Sequence, residues 1–435
     1  MVKTPKETRL PAGRLGRLAR MTALGVRTGM GALRSKGKGE AAAERAAEVL
    51  GTMRGLAAKM GQMASYVDGI VPEAHRDAYE ASLKALRAQA PRSSAEAVRR
   101  TLEAELGEPL DRLFESFDEA PFASASIGQV HRARLRDDHP TAPGAEVAVK
   151  VQHEGIREAV ESDLSNAGLL ESMAGVAAGR RFDTKAHLGV LRDRFREELD
   201  YALEAERLTQ FAALHAGDPH IRVPTLVADR SSTSVLTTTF VRGLDFDEAC
   251  AADEASRSRW AETLWKFVFK GNLVGGMFNA DPHPGNYVFG DDGVVTFLDY
   301  GCVQVIPAGQ REHAVAMHRA AMRREETPFA DALRLMLRSK PGSLEQRAIE
   351  YTRQCFEPLF ESPYHVTRPW AASLVSNMRD MAKAARVTDD EEFFTLPPEM
   401  LFMNRLQFGF YSVLARLDVR VDYAAVHARF LEADG

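Results

Sequence analysis

The chain has 435 residues, 45% of them hydrophobic and 27% charged, with a formal net charge of −5. That length and balance suit two or three packed units with large cores, and the mild negative charge excludes a protein whose whole surface is built for nucleic-acid phosphates. No run of about 18 apolar residues occurs, the length a bilayer-crossing helix needs, so no transmembrane helix is expected. Cys250, Cys302 and Cys355 lie too far apart for a CxxC pair, which fits a reducing compartment and a cytoplasmic protein.

In chain order, residues 1–40 form a basic arm, with ten Lys and Arg against only Glu7 and Glu40. Such an arm suits an anionic membrane surface, making the protein peripheral there; the alternative is a solvated terminus. Residues 41–121 are rich in Ala, Leu, Glu, Arg and Met with apolar spacings of three and four, a helical extension punctuated by Pro72, Pro91 and Pro109. Residues 122–242 change texture. Extended runs at Ser126 to Leu135 and Glu146 to Gln152 predict a hairpin with a long loop; helices are expected over Glu154 to Ala178 and Thr184 to His215, and strands over Val223 to Ala228 and Ser234 to Val241. Residues 243–435 are mainly helical, broken by a second hairpin, Asn286 to Phe289 and Val294 to Leu298 around Gly290-Asp291-Asp292-Gly293, where Gly and Asp tolerate the positive φ of a tight turn. The fold class is α+β.

The chemistry concentrates on Asp281-Pro282-His283-Pro284-Gly285-Asn286, followed across the second hairpin by Leu298-Asp299-Tyr300-Gly301. Phosphoryl transfer needs a group to orient the nucleophile and oxygen ligands for Mg²⁺ on the nucleotide phosphates. Kinase-like folds supply them with an Asp, an Asn five positions later and a second Asp before a Gly. Asp281 holds the orienting position, Asn286 and Asp299 the metal positions, and a hard cation that keeps several waters needs no more from the protein. Either fragment alone reads as turn or cap residues; the pairing across a hairpin carries the functional reading. His283 is expected to pack or hydrogen-bond within its loop.

Upstream, Val147-Ala148-Val149-Lys150 is an alternating strand ending in the lysine that kinases place against the α- and β-phosphates. Glu204 is the carboxylate chosen to hold that lysine, on a helix that also displays Glu198 and Asp200. Ahead of the lysine strand stands a candidate phosphate-covering loop, Ala123, Ser124, Ala125, Ser126, Ile127, Gly128 and on to Val130, with Ala and Ser where such loops normally carry glycine. Thr239 and Val241 lie at the expected hinge and would meet adenine through backbone atoms.

At these residues the chain resembles the UbiB/AarF family of atypical kinases, which includes the mitochondrial coenzyme Q kinase-like proteins. The alanine-rich loop and Lys59-Met60-Gly61-Gln62, similar to the family's KxGQ motif, carry the resemblance over about Leu50 to Val305. It implies a bilobal protein-kinase-like fold with an N-terminal helical extension, and a KxGQ helix whose Lys59 and Gln62 meet the ExD motif, here Glu198 and Asp200, where a protein substrate would dock. It also implies that Glu204 pairs with Lys150, that Asp281 is the catalytic-loop Asp, and that Asn286 and Asp299 bind Mg²⁺. ATP and Mg²⁺ are the expected cofactors, hydrolysis or small-molecule work the expected activity, and a lipid-like or quinone-precursor ligand the expected partner. Two positions depart from the family pattern: Thr239 stands where relatives commonly have Glu, and the hydrophobic C-terminal helices of some bacterial members have no counterpart. The competing readings are a nucleotide-sensing scaffold without useful turnover and a conventional small-molecule phosphotransferase, against which the KxGQ extension speaks.

Overall fold

The computed structural model describes residues 93–124, 127–161, 193, 196–388, 391–394 and 400–431; Lys59, Gln62, Ala125, Ser126 and the basic arm lie outside them. The chain divides into two compact units, one containing Val71–Ala202 and Leu226–Phe240, the other Leu203–Thr225 and Val241–Gly435. The last division falls between Phe240 and Val241, beside the expected hinge.

The first unit supplies α1 (Ala95–Leu106), α2 (Leu110–Leu113), β1 (Ser116–Phe117), β2 (Ala123–Ser124), β3 (Gly128–Arg134) and β4 (Glu146–Gln152). Helix α3 (Tyr201–Leu214) begins at its end and continues into the second unit, which holds β5 (Ile221–Arg222); β6 (Val235–Thr239) returns to the first. The sheet runs β1-β3-β4-β6, with β2 also pairing with β3. Strand residues alternate between faces. Val147, Val149 and Val151 of β4 are therefore all buried against one core with Val98, Leu102, Leu113 and Leu135, while Lys150 stands on the opposite face. Ser94 caps α1 by accepting the Ala97 N–H at 3.2 Å, and Gly107 ends it with φ +76°.

Two sequence expectations change here. The strand expected over Val223 to Ala228 is only β5 at Ile221–Arg222 plus one bridge between Leu226 and Thr238, because Pro224 has no N–H to continue a ladder. The helix expected over Thr184 to His215 is interrupted at residues 198–200, and α3 starts at Tyr201. The Leu199 carbonyl accepts instead from Gln152 Nε2 at 2.8 Å and Arg157 Nη2 at 2.9 Å, and the Tyr201 N–H donates to Thr233 O at 3.0 Å. Those bonds pin a turn where helical periodicity alone predicts continuity.

The second unit continues with α4 (Phe246–Cys250), the 20-residue α5 (Glu254–Leu273), β7 (Met277–Asn279), β8 (Tyr287–Phe289), β9 (Val295–Phe297) and β10 (Val303–Val305). Helices α6 (Ala308–Met322), α7 (Glu326–Leu337), α8 (Ser343–Cys355) and α9 (Glu357–Phe360), strand β11 (Tyr364–His365), α10 (Arg368–Val387), α11 (Met400–Leu417), β12 (Arg420–Val421) and α12 (Tyr423–Leu431) complete it. Strand β9 lies between β5, parallel to it, and β8, antiparallel to it. The expected second hairpin is present, and Asp292 (φ 55°) and Gly293 (φ +79°) carry its turn. Helix α5 grips that turn: Trp260 Nε1 donates to Gly290 O at 2.9 Å and Thr263 Oγ1 to Gly293 O at 2.8 Å. Phe267 stacks on Phe297 with ring centroids 3.5 Å apart and an interplanar angle of 8°. No helix among the described residues is long and apolar enough to cross a membrane.

His215 stacks against Phe267 at 4.9 Å, buried, with neither ring nitrogen hydrogen-bonded among the described residues. Burial first, and the Lys270 charge second, push its pKa down to about 3. A histidine kept neutral by the fold takes up its proton only on unfolding. Its contribution is complete above the unfolded-state value near 6.5 and is lost as pH falls from there toward about 3, at about 1.4 kcal/mol per pH unit. Urea midpoints between pH 7.5 and 5 are therefore expected to fall less steeply in His215→Phe than in the parent; equal slopes would refute the assignment.

Candidate nucleotide and metal site

The first unit carries the loop and the lysine. Directly opposed residues on paired strands share a face, and the register sets Ala123 opposite Val130, Val130 opposite Lys150 and Lys150 opposite Leu236. Ala123, Val130 and Lys150 thus stand in one row. The Lys150 ammonium lies 4.9 Å from the centre of the Tyr201 ring, a cation–π contact with a fully buried aromatic. Thr239 pairs with Val147 and so belongs to the other face. Ile127 is buried and Ser124 exposed.

Gly128 opens β3 opposite Gln152. A Cβ there would stand 2.5 Å from the Val151 carbonyl oxygen and 2.8 Å from Tyr201 Oη, so the single glycine of this loop is required by a close backbone approach. Gly128→Ala is expected to cost about 1–3 kcal/mol through overpacking, read as a lower denaturation midpoint; an unchanged midpoint would show that the strand relaxes freely.

Glu198 and Asp200 do not share the helix of Glu204: Glu198 sits in the turn before α3, and Asp200 precedes its first residue, accepting the Ala202 N–H at 3.0 Å. This corrects the expectation of one acidic helix face, and the cause is the break pinned at Leu199.

The second unit carries the acids and the amide. Tyr287 pairs with Phe297, so Asn286 and Leu298 face each other at the end of the hairpin, the Leu298 N–H donating to Asn286 O at 2.9 Å. Asn286 Nδ2 donates to the Asp281 carbonyl at 3.0 Å. The Asp299 carboxylate accepts the Gly301 N–H at 3.0 Å, and His283 Nδ1 accepts the Gly285 N–H at 2.9 Å, the loop role expected of it. Glu204, buried on α3, takes the Tyr300 N–H at 3.5 Å. A methyl on Gly301 would stand 3.4 Å from Asp299 Oδ1 and 3.5 Å from Glu204 Oε2, so both carboxylates border one glycine. Val241 lies half-buried at the start of the same unit.

Two residues overlooked in the sequence tie these loops together. Asn279, the last residue of β7, accepts the Asp281 N–H at 2.9 Å through its side-chain oxygen and donates through Nδ2 to the Asp299 carbonyl. Arg207, one turn along α3 from Glu204 and buried, donates to the Gly301 carbonyl at 3.3 Å. Their only sequence signal is position: two residues before Asp281 and three after Glu204. Asn279→Ala is expected to cost about 1–3 kcal/mol for the groups left unpaired and to lower ATP turnover by about tenfold or more through misplaced loops; turnover equal to the parent's would rule out a positioning role.

A family model, the ABC1 atypical kinase-like domain, matches residues 85–332, more than half of the chain. The chain belongs to this family. Among curated relatives, the rat atypical kinase COQ8B, mitochondrial, is 31% identical over 73% of this chain and 61% of its own length. The Caenorhabditis elegans atypical kinase coq-8, mitochondrial, is 30% identical over 72% and 38%, and the chloroplastic Arabidopsis thaliana protein ACTIVITY OF BC1 COMPLEX KINASE 7 is 32% identical over 58% and 36%. The chain thus spans less than two thirds of the length of these relatives. A solved structural neighbour, Rv3197 of Mycobacterium tuberculosis in complex with erythromycin, superposes with a TM-score of 0.61 at 27% identity, covering 96% of this chain and 97% of that one. The kinase-like fold and the family resemblance seen in the sequence are both borne out.

Proposed function

We propose that this ABC1-family chain binds ATP with Mg²⁺ and hydrolyses it or transfers its γ-phosphoryl group to a small molecule. The observation that carries the reading is the bonding of three loops of the second unit into one set, with Asn279 joining the Asp281 and Asp299 backbones and Asn286 bonded to the Asp281 carbonyl. The set suits a hard cation. Asn286 commits its amide nitrogen to that carbonyl, and its amide oxygen takes no donor among the described residues; Asp299 adds a carboxylate oriented by the Gly301 N–H. Among the described residues no group of three or more His, Cys, Asp and Glu is gathered for a metal, and two protein ligands completed by phosphate and water are what Mg²⁺ commonly uses.

In this reading Asn286 and Asp299 hold the ion, which when bound neutralises phosphate charge. Asp281 orients the attacking oxygen, Lys150 contacts the α- and β-phosphates with Glu204 as its partner, and residues 123–130 cover them. Thr239 and Val241 meet adenine through the backbone, which leaves the missing Glu at Thr239 without effect on binding itself. Lys59, Gln62, Glu198 and Asp200 regulate access. The relatives named as a mitochondrial atypical kinase and a chloroplastic BC1 complex kinase, with the family resemblance, support a role in isoprenoid quinone or lipid metabolism, carried out from the cytoplasm at an anionic membrane that the basic arm contacts.

Phosphate release from ATP, measured with and without magnesium and anionic vesicles, tests the reading. Magnesium-dependent turnover supports an enzyme, tight ATP binding with no turnover under any condition supports the sensing scaffold, and absence of ATP binding removes both.

A further inference from the structure

We propose that the helical part of the second unit holds a separate binding site for a neutral, mostly hydrocarbon molecule bearing a carbonyl oxygen. The inference is independent of the nucleotide reading. Helices α5, α6, α8 and α11 surround a cavity of about 90 Å³, open to solvent on one side and walled by Trp265, Phe269, Met317, Phe356 and Phe410. Most ligand pockets have such walls, apolar with a few placed polar groups.

One polar group of the lining, His318, is ordered by a relay that has only one direction. An indole N–H can only donate, and Trp265 Nε1 donates to His427 Nδ1 at 2.7 Å. The His427 proton must therefore sit on Nε2, which faces His318 Nδ1 at 2.9 Å, so His318 accepts there and carries its own proton on Nε2. Both rings are buried, and burial keeps both neutral, His318 with a pKa pushed down to about 3. His318 lines the cavity, and its Nε2–H has no acceptor among the described residues.

Gln304 adds a second polar group to the lining. It is buried, its Nε2 donates to Val305 O at 3.1 Å, and its side-chain oxygen has no partner among the described residues. A hydrogen-bond donor at the end of a fixed relay, set in an aromatic and aliphatic wall with no charged side chain in the lining, selects an uncharged ligand with an acceptor oxygen. A charged ligand would lose its hydration with nothing to replace it. Val305, 64% exposed, stands in the lining and gives the mouth an apolar edge.

The test uses the full chain and the neutral naphthyl ketone prodan, whose emission shifts to the blue in an apolar site. Saturable blue-shifted binding is expected, weakened tenfold or more in Ala314→Phe, which fills the cavity from a half-buried position on α6, with binding of a fluorescent ATP analogue unchanged. Should Ala314→Phe fail to fold by circular dichroism, Met336→Trp, from the lining residue on α7, takes its place. In displacement, 2-acetylnaphthalene is expected to compete at about tenfold lower concentration than 2-ethylnaphthalene, the value of one hydrogen bond to a buried donor. No saturable binding, binding indifferent to the filling variant, or equal competition by ketone and hydrocarbon each overturns the proposal, whatever the nucleotide assays give.

Discussion

Replacing Asp299 with Asn is expected to remove magnesium-dependent ATP hydrolysis, by about a hundredfold or more, while leaving the fold intact. The charge is what matters. An amide oxygen in place of Oδ1 still accepts the Gly301 N–H that the carboxylate takes at 3.0 Å, and the Asp299 backbone remains held by Asn279, so the loop keeps its shape. On the proposed reading, what is lost is the one carboxylate ligand in a set whose other member, Asn286, is neutral, and charge placed where phosphate charge is neutralised is typically worth several kcal/mol of barrier. Asn286→Ala should weaken the magnesium requirement less, since water replaces a neutral ligand at lower cost. Steady-state phosphate release against magnesium concentration, with thermal melting as the control for folding, decides the matter. Parental turnover in a folded Asp299→Asn protein would end the metal assignment.

Phe267→Ala is expected to be the most damaging single change to the scaffold, at about 3–5 kcal/mol. Its ring is 2% exposed and lies between Phe297, at a centroid separation of 3.5 Å, and Phe211, at 5.3 Å. The hairpin β8–β9 rests on it. Since Asn286 precedes that hairpin and Asp299 follows it, the cavity left by the ring would slacken both ends of the proposed metal set along with the core. Hydrogen exchange should therefore show protection lost across 287–297 before the first unit is affected, together with a lower denaturation midpoint. Protection confined to parental values in that hairpin would mean that the stack contributes little to holding the site.

The local signature was readable because its chemistry is local. Asp281, Asn286 and the hairpin before Asp299 lie within 19 residues, and the turn residues Asp292 and Gly293 announce their positive φ by type. The alternation of Val147, Val149 and Val151 likewise exposes Lys150 to the other face of its strand without any knowledge of partners. Family membership followed from such short motifs, and the match over residues 85–332 agrees with them.

Position in three dimensions decided the rest. Helical periodicity runs unbroken through Glu198 and Asp200 because it counts apolar residues; the turn there exists because Gln152 and Arg157, 47 and 42 positions away, take the Leu199 carbonyl. The expected strand beyond Val223 fails on a single missing N–H at Pro224. Asn279 and Arg207 could not be singled out, since an asparagine or arginine becomes a clamp only when folding brings two carbonyls to it. The same holds for the Trp265–His427–His318 relay, whose members span 162 residues between its first pair alone. Side-chain type and spacing specify what a segment can do by itself, whereas hydrogen bonds between distant segments depend on which surfaces the packed core brings into register.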